Sequence, residues 1–192
     1  MSLQELDLAS MLAQIGRTSP VISGSTTALI AAQLGTAMTR MALAVSNKHG
    51  SDTDMVIERL DSISAKVKDA TENDRSASAA LLHAYRPNSD ATARRAALVD
   101  ATRAPIAAAL LLLELLELLE ESTNQITDAA ASDFHGGVEL IGAAFSAVMM
   151  AVESNLRDDD AADLRGRTSC NRSTLRIRFD LAMSELRRAR SS

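Results

Sequence analysis

The residues best suited to chemistry in this 192-residue chain are two aspartates in apolar company, Asp74 and Asp133. Asp74 is followed by Ser76, Ala77, Ser78, Ala79 and Ala80, a small-residue stretch expected to face the interior of a helical bundle; a solvated helix face is the competing reading. Asp133 follows Ser132 at the opening of a later helix, where an N-cap accounts for it equally well. A carboxylate in an apolar cleft is disfavoured in its charged form and exchanges protons near neutrality, which suits general acid–base work. Other chemistries find little support. The chain carries no nucleotide-binding loop, zinc signature or nucleophile elbow. His49, His83 and His135 lack metal-ligand spacing, so no metal site is expected. Cys170 stands alone, which excludes an intrachain disulfide framework and cannot anchor a structural zinc.

The elements that must position these acids are helices. Apolar residues make up 46% of the chain but aromatics only 2%, so Ala, Leu and Met carry the hydrophobicity, and these favour helices. Strand-favouring aromatic and β-branched alternation is almost absent. The expected fold is an all-α, single-domain bundle of five to six helices over residues 1–192. A first amphipathic helix runs from Leu3 to Gly16, and Thr18-Ser19-Pro20 breaks it. Ser23-Gly24-Ser25-Thr26-Thr27 leads into a small-residue helix reaching about Ser46, followed by a polar turn at Lys48–Asp52. The third helix spans about Thr53–Tyr85, with Met55, Leu60, Ile63, Val67, Ala70, Ala77, Leu81 and Leu82 on one side. Asp90 is a plausible N-cap for the fourth, Ala91–Ser122, which Pro105 should kink or break. The connection Thr123–Ser132 precedes a fifth helix, Asp133–Leu156, with Gly136 and Gly137 in its first turn. A polar stretch through Ser173 leads to a basic final helix at about Thr174–Arg190.

Charge and hydropathy narrow the partners. The net charge of −5 argues against nucleic acid as a partner. The last 36 residues hold eight arginines from Arg165 to Arg190, near the acids Asp158–Asp160; a solvated helix with arginine stems on apolar surface is the plainest reading. Met1–Ser10 carries Glu5 and Asp7 where a signal peptide would be basic, so a cytoplasmic protein is expected. The apolar run from Pro105 stops at Glu114 after nine residues, against the roughly 20 that a membrane span needs, so no membrane partner is expected.

The order of these motifs resembles the cyclodeaminase/cyclohydrolase family, which comprises the cyclodeaminase domain of formiminotransferase-cyclodeaminase and the methenyltetrahydrofolate cyclohydrolases. The matching stretches are Ser23–Leu29, Asp74–Tyr85, Ala101-Thr102-Arg103-Ala104-Pro105, and Ser132-Asp133 through Asn155-Leu156, so the resemblance covers about residues 3–157. It implies an all-α homodimer with a folate pocket and no tightly bound cofactor, a tetrahydrofolate derivative being the small-molecule substrate. Asp74 and Asp133 become the catalytic candidates, moving protons at a carbon–nitrogen bond and stabilising a cationic amidinium. Ser23, Gly24, Ser25, Thr26, Lys48, Ser132 and Asn155 become the substrate-binding candidates, with backbone N–H groups near Gly24 turned to the substrate. The chain also departs from the family pattern. The family's Pro-Gly-Gly-Gly-Ser corresponds here to Ile22-Ser23-Gly24-Ser25-Thr26, its Gly-Asn falls on Ile126-Thr127, and an Asn late in the fifth helix falls on Ala151.

Three functions follow: a folate one-carbon enzyme, a relative acting as cyclase, deaminase or dehydratase on a non-folate substrate, and a non-catalytic helical dimer. The leucines of Leu110–Leu119 cover nearly every side of their helix, which places it at the bundle centre or in a homodimer interface.

Overall fold

The structure, a computed structural model, describes residues 3, 6–17, 22–87 and 90–190. They form α1 (Leu8–Ile15), α2 (Gly24–Lys48), α3 (Asp54–Ala84), α4 (Ala91–Glu121), α5 (Ala131–Asn155) and α6 (Ala162–Ala189), and contain no strand. Local chemistry sets the starts. Asp7, Ser23 and Asp90 each accept a hydrogen bond from the backbone N–H three residues on, capping α1, α2 and α4. Each such cap stabilises its helix by about 1 kcal/mol. The turn after α2 closes on Gly50, whose φ of 99° lies in the left-handed region that favours glycine.

Several expectations need correction. α1 is shorter than Leu3–Gly16. The breaker at 18–20 and residues 88–89 of the loop before α4 lie outside the described residues. α5 begins at Ala131 after an Ala130 cap position, so Asp133 sits inside the first turn and is not the N-cap. The polar stretch through Ser173 is helical, and α6 runs the full 28 residues. Its serines, threonines and arginines read as a polar stretch without helical periodicity, yet Arg165 bonds the Leu156 carbonyl and Arg172 bonds Glu153, both on the end of α5. On α3, Met55 and Leu82 are exposed rather than on the core side.

Helices α2, α3, α4 and α5 enclose one core, each packed against the next, and α6 lies along α4. α4 is the central element. Leu112, Leu113, Leu115, Leu116, Leu118 and Leu119 are at most 2% exposed, while Leu110 remains 47% exposed. Burying one leucine stabilises a fold by about 1.5–3 kcal/mol, so this row anchors the bundle from its centre. Pro105 does not interrupt α4. A proline lacks the N–H that would bond the carbonyl four residues back, here Ala101. The Asn155 side chain fills that gap, its Nδ2 donating to Ala101 O at 2.8 Å.

α2 and α5 run antiparallel at very close range. A Cβ on Gly35 would stand 2.7 Å from the carbonyl oxygen of Gly137, and one on Gly137 would stand 2.5 Å from that of Gly35. The small residues of α2 therefore pack tightly against α5, while Leu34 and Met41 on α2 and Leu140 and Met150 on α5 remain exposed. By length and composition α2, α4 and the stretch Asp128–Asn155 could each cross a membrane. The short leucine run is thus not enough to exclude that. What marks α4 as a core helix is the burial of its leucines among neighbouring helices.

The end of α3 is clamped to the α5–α6 link. Tyr85 Oη donates to Asp158, Arg94 sits 5.9 Å over the Tyr85 ring, and Arg94 also binds Asp160. The hydrogen bond to Asp158, with partial burial, pushes the Tyr85 hydroxyl up to about 12. A raised value means the neutral phenol is favoured in the folded state. Its stabilising effect is complete below the unfolded value near ~10 and is lost as pH rises towards 12. Tyr85 is the chain's one tyrosine and there is no tryptophan, so tyrosinate absorbance reports it alone. A pH-jump titration of the folded protein is expected to give a midpoint near 12, falling towards ~10 in Asp158→Asn; equal midpoints would show that no such bond forms.

Candidate functional site

The expected glycine loop is the first turn of a helix. Ser23 caps α2, and Gly24, Ser25 and Thr26 follow as its opening residues. Asp74, in the middle of α3, reaches this turn and is 1% exposed. Its Oδ2 accepts hydrogen bonds from Thr26 Oγ1 at 2.6 Å, Ser25 Oγ at 2.8 Å and Ser23 Oγ at 3.3 Å. Burying a carboxylate without partners would be prohibitive. Three hydroxyls and the positive end of α2 compensate here, so Asp74 is an interior residue and the solvated reading fails.

This turn forms one wall of a cleft of about 540 Å³. Ser23, Gly24, Ser25 and Ser78 supply the polar side, and Leu81, Leu82, Ala147, Met150 and Ala151 the apolar side. Ser154 and Asn155 close it. Space is open above Gly24, where a Cβ would meet nothing within 4 Å. Asp74 itself stands behind the lining, one hydroxyl away from the cleft. An ionised carboxylate only accepts, so Ser25, which donates to Asp74 and lines the cleft, points its proton inward and keeps its lone pairs for the cleft, while Ser23 Oγ already accepts from Thr26 N–H and Thr26 is fully buried. The cleft wall is therefore an acceptor surface backed by a negative charge, suited to a cationic or N–H-rich group and to receiving a proton.

The sequence candidates divide between two places. Ser23, Gly24, Ser25, Thr26, Asp74 and Asn155 come together at this cleft. Asn155 has the additional structural task of satisfying Ala101. Lys48, Ser132 and Asp133 lie at the opposite end of the α2/α5 pair. Asp133 and Asn155 are separated by 22 residues of one helix, about 33 Å at 1.5 Å per residue. Ser132 there lines a second cleft with His135, Glu139 and Arg190. Burial, and then the charge of Arg190, lowers the His135 pKa below its usual value. Thr127, at the position of the family's Asn, donates its backbone N–H to Ser46 Oγ and so ties the start of α5 to the end of α2.

Ser78, Leu81, Met150 and Ser154 were missed as cleft residues. Ser78 carried a usable signal, since it lies one turn beyond Asp74 on the same face of α3. Leu81, a further turn along that face of α3, carried the same signal. Met150 and Ser154 required knowing that α5 runs antiparallel to α2. Among the described residues no group of His, Cys, Asp and Glu is placed to hold a metal ion.

Replacing Asp74 with Ala leaves three buried or half-buried hydroxyls without their acceptor. Urea unfolding at neutral pH is expected to show a loss of about 2–3 kcal/mol, with Ser25→Ala costing about 1 kcal/mol. A loss below about 0.5 kcal/mol for Asp74→Ala would mean a solvated carboxylate.

Comparison with known proteins agrees with this architecture. Residues 7–171 match the family model described as formiminotransferase-cyclodeaminase. The crystal structure of formiminotetrahydrofolate cyclodeaminase from Thermotoga maritima is similar in fold, with a TM-score of 0.89 at 17% sequence identity, covering 99% of this chain and 98% of that one. No curated protein matches the sequence. The extent of the family match is decisive for kinship: this chain belongs to the formiminotransferase-cyclodeaminase family.

Proposed function

We propose that the protein is a cytoplasmic folate one-carbon enzyme of the methenyltetrahydrofolate cyclohydrolase or formiminotetrahydrofolate cyclodeaminase type. The observation that carries this reading is the buried Asp74 behind the hydroxyls of Ser23, Ser25 and Thr26. Both reactions pass through a tetrahedral carbon between two nitrogens, and both begin from a cationic amidinium-type carbon. The hydroxyl layer accepts hydrogen bonds from water or a substrate N–H, while the Asp74 charge stabilises the cation. In the cyclohydrolase direction water attacks the methenyl carbon, loses a proton towards Ser25 and Asp74, and the protonated ring nitrogen then leaves. In the deaminase direction the anilino nitrogen outside the ring attacks the formimino carbon carried on the ring nitrogen, its proton passes by way of Ser25 and Asp74 to the departing amino group, and ammonia is expelled.

Asp133 of the same chain is too distant to join in. We infer a homodimer formed through the α2/α5 face. From Leu140 to Ala151 on α5 there is no charged residue, and the charged Arg40 of α2 is turned to Asp61 on α3. The face is two helices wide and 25 residues long, roughly 20 Å by 37 Å, close to the ~800 Å² per partner that a stable interface buries. A two-fold axis through the middle of this face would set the partner's Asp133 near the Asp74 cleft. Sedimentation is expected to give a dimer at micromolar concentration, with Met150→Asp shifting it to monomer. A wild-type monomer, or one soluble only in detergent, would contradict this.

A second reading, a non-folate substrate, is favoured by the apolar wall of Leu81, Leu82 and Met150 and by Ala151 where the family carries Asn. The absorbance of methenyltetrahydrofolate decides between them. The protein should accelerate its loss over buffer, and Asp74→Asn should slow turnover by about 10²-fold or more. With no acceleration, and no ammonia from formiminotetrahydrofolate, the folate reading fails.

A further inference from the structure

A second concave surface lies beside the cleft, where the end of α5 meets the first half of α6. Glu153, Leu156 and Arg157 form one side and Arg165, Arg172 and Arg176 the other, around a volume of about 680 Å³. Residues 164–179 contain five arginines and no acid. None of the acids that interleave the arginines in the sequence, Asp158, Asp159, Asp160 and Asp163, lines this groove. Asp158 is bound by Tyr85, Asp160 by Arg94 and Asp163 by Arg95, all towards α3 and α4. Glu153 is therefore the one carboxylate in the lining against four guanidinium groups.

Two of the four arginines are fixed in place. Arg172, whose side chain is 13% exposed, donates to Glu153 Oε1 at 2.5 Å, to Thr168 Oγ1 and to the carbonyl of Arg165. Arg165 donates from Nε to the carbonyl of Leu156 at 2.7 Å and from Nη2 to that of Asp158. The other two are available. Arg176 makes only a 3.4 Å contact to the already occupied Glu153 oxygen, and the guanidinium of Arg157 has no partner among the described residues. A rigid pair and a free pair facing one cavity, with about three positive charges in excess, is a costly arrangement for a protein of net charge −5 to leave unfilled.

We propose that this groove is a binding site for a small multivalent oxyanion, a phosphate or an oligocarboxylate. Guanidinium forks match the planar, two-oxygen edge of either group and hold it bidentately. The inference is independent of what the Asp74 cleft binds. Two of its four arginines, Arg172 and Arg176, lie beyond the stretch matched by the family model.

Isothermal titration of the full-length protein at low ionic strength, with pyrophosphate in one arm and citrate in the other, tests the proposal. At least one should bind with a Kd below about 1 mM, and preference between them identifies the source of the oxyanion. The Arg157→Ala/Arg176→Ala variant, which changes two exposed side chains, should bind roughly tenfold more weakly or not at all. Arg95→Ala, an exposed arginine away from the groove, should bind as wild type. Binding of neither anion would overturn the proposal. So would equal affinity in the groove variant, or an equal loss in Arg95→Ala, because either result would reflect general surface charge.

Discussion

A carboxylate that is 1% exposed must find its hydrogen bonds inside the protein, and Asp74 finds them in a single turn of a neighbouring helix. Much else is arranged around that requirement. The bond set joins the middle of α3 to the start of α2 and determines where α2 begins. Because Ser23 must both cap the helix and face Asp74, the turn cannot rotate without losing both functions. The cleft wall is the outer side of the same turn, so its acceptor character is a by-product of how the acid is buried.

The opposite wall depends on a different constraint. Gly35 and Gly137 allow α2 and α5 to approach until a Cβ on either would collide with the other's backbone. That approach brings Ala147, Met150 and Ser154 opposite Gly24. The leucines of α4 hold α5 from behind, and Asn155 closes the hydrogen-bond gap opened by Pro105. A proline in a central helix thus tethers the rim of the cleft. The leucine-rich segment shapes the core, and it contributes no side chain to the cleft lining.

Helix content, most helix starts and the interior position of Asp74 were legible in the chain, since periodicity, caps and an acid among alanines are local signals. The length of α6 was not. The arginines and hydroxyl residues of its first half are neutral locally, and their partners lie on α5: the Leu156 carbonyl, nine residues from Arg165, and Glu153, 19 residues from Arg172. The separation of Asp74 from Asp133 was equally hidden, because the antiparallel pairing of α2 with α5 is a tertiary fact. Asn155, a substrate-binding candidate through the family resemblance, lines the cleft and also serves the Ala101 carbonyl that Pro105 leaves open, a second task that the sequence did not disclose.

On the proposed function, Asp74 acts through the hydroxyl layer and not by direct contact with substrate. A double-mutant cycle in kcat/KM with Ser25→Ala, Asp74→Asn and the double variant measures this most directly. If the two residues form one relay, Asp74→Asn will cost far less in the Ser25→Ala background than in the wild type. Full additivity, with the two losses multiplying in the double variant, would show that the carboxylate works independently of the serine and would contradict the account.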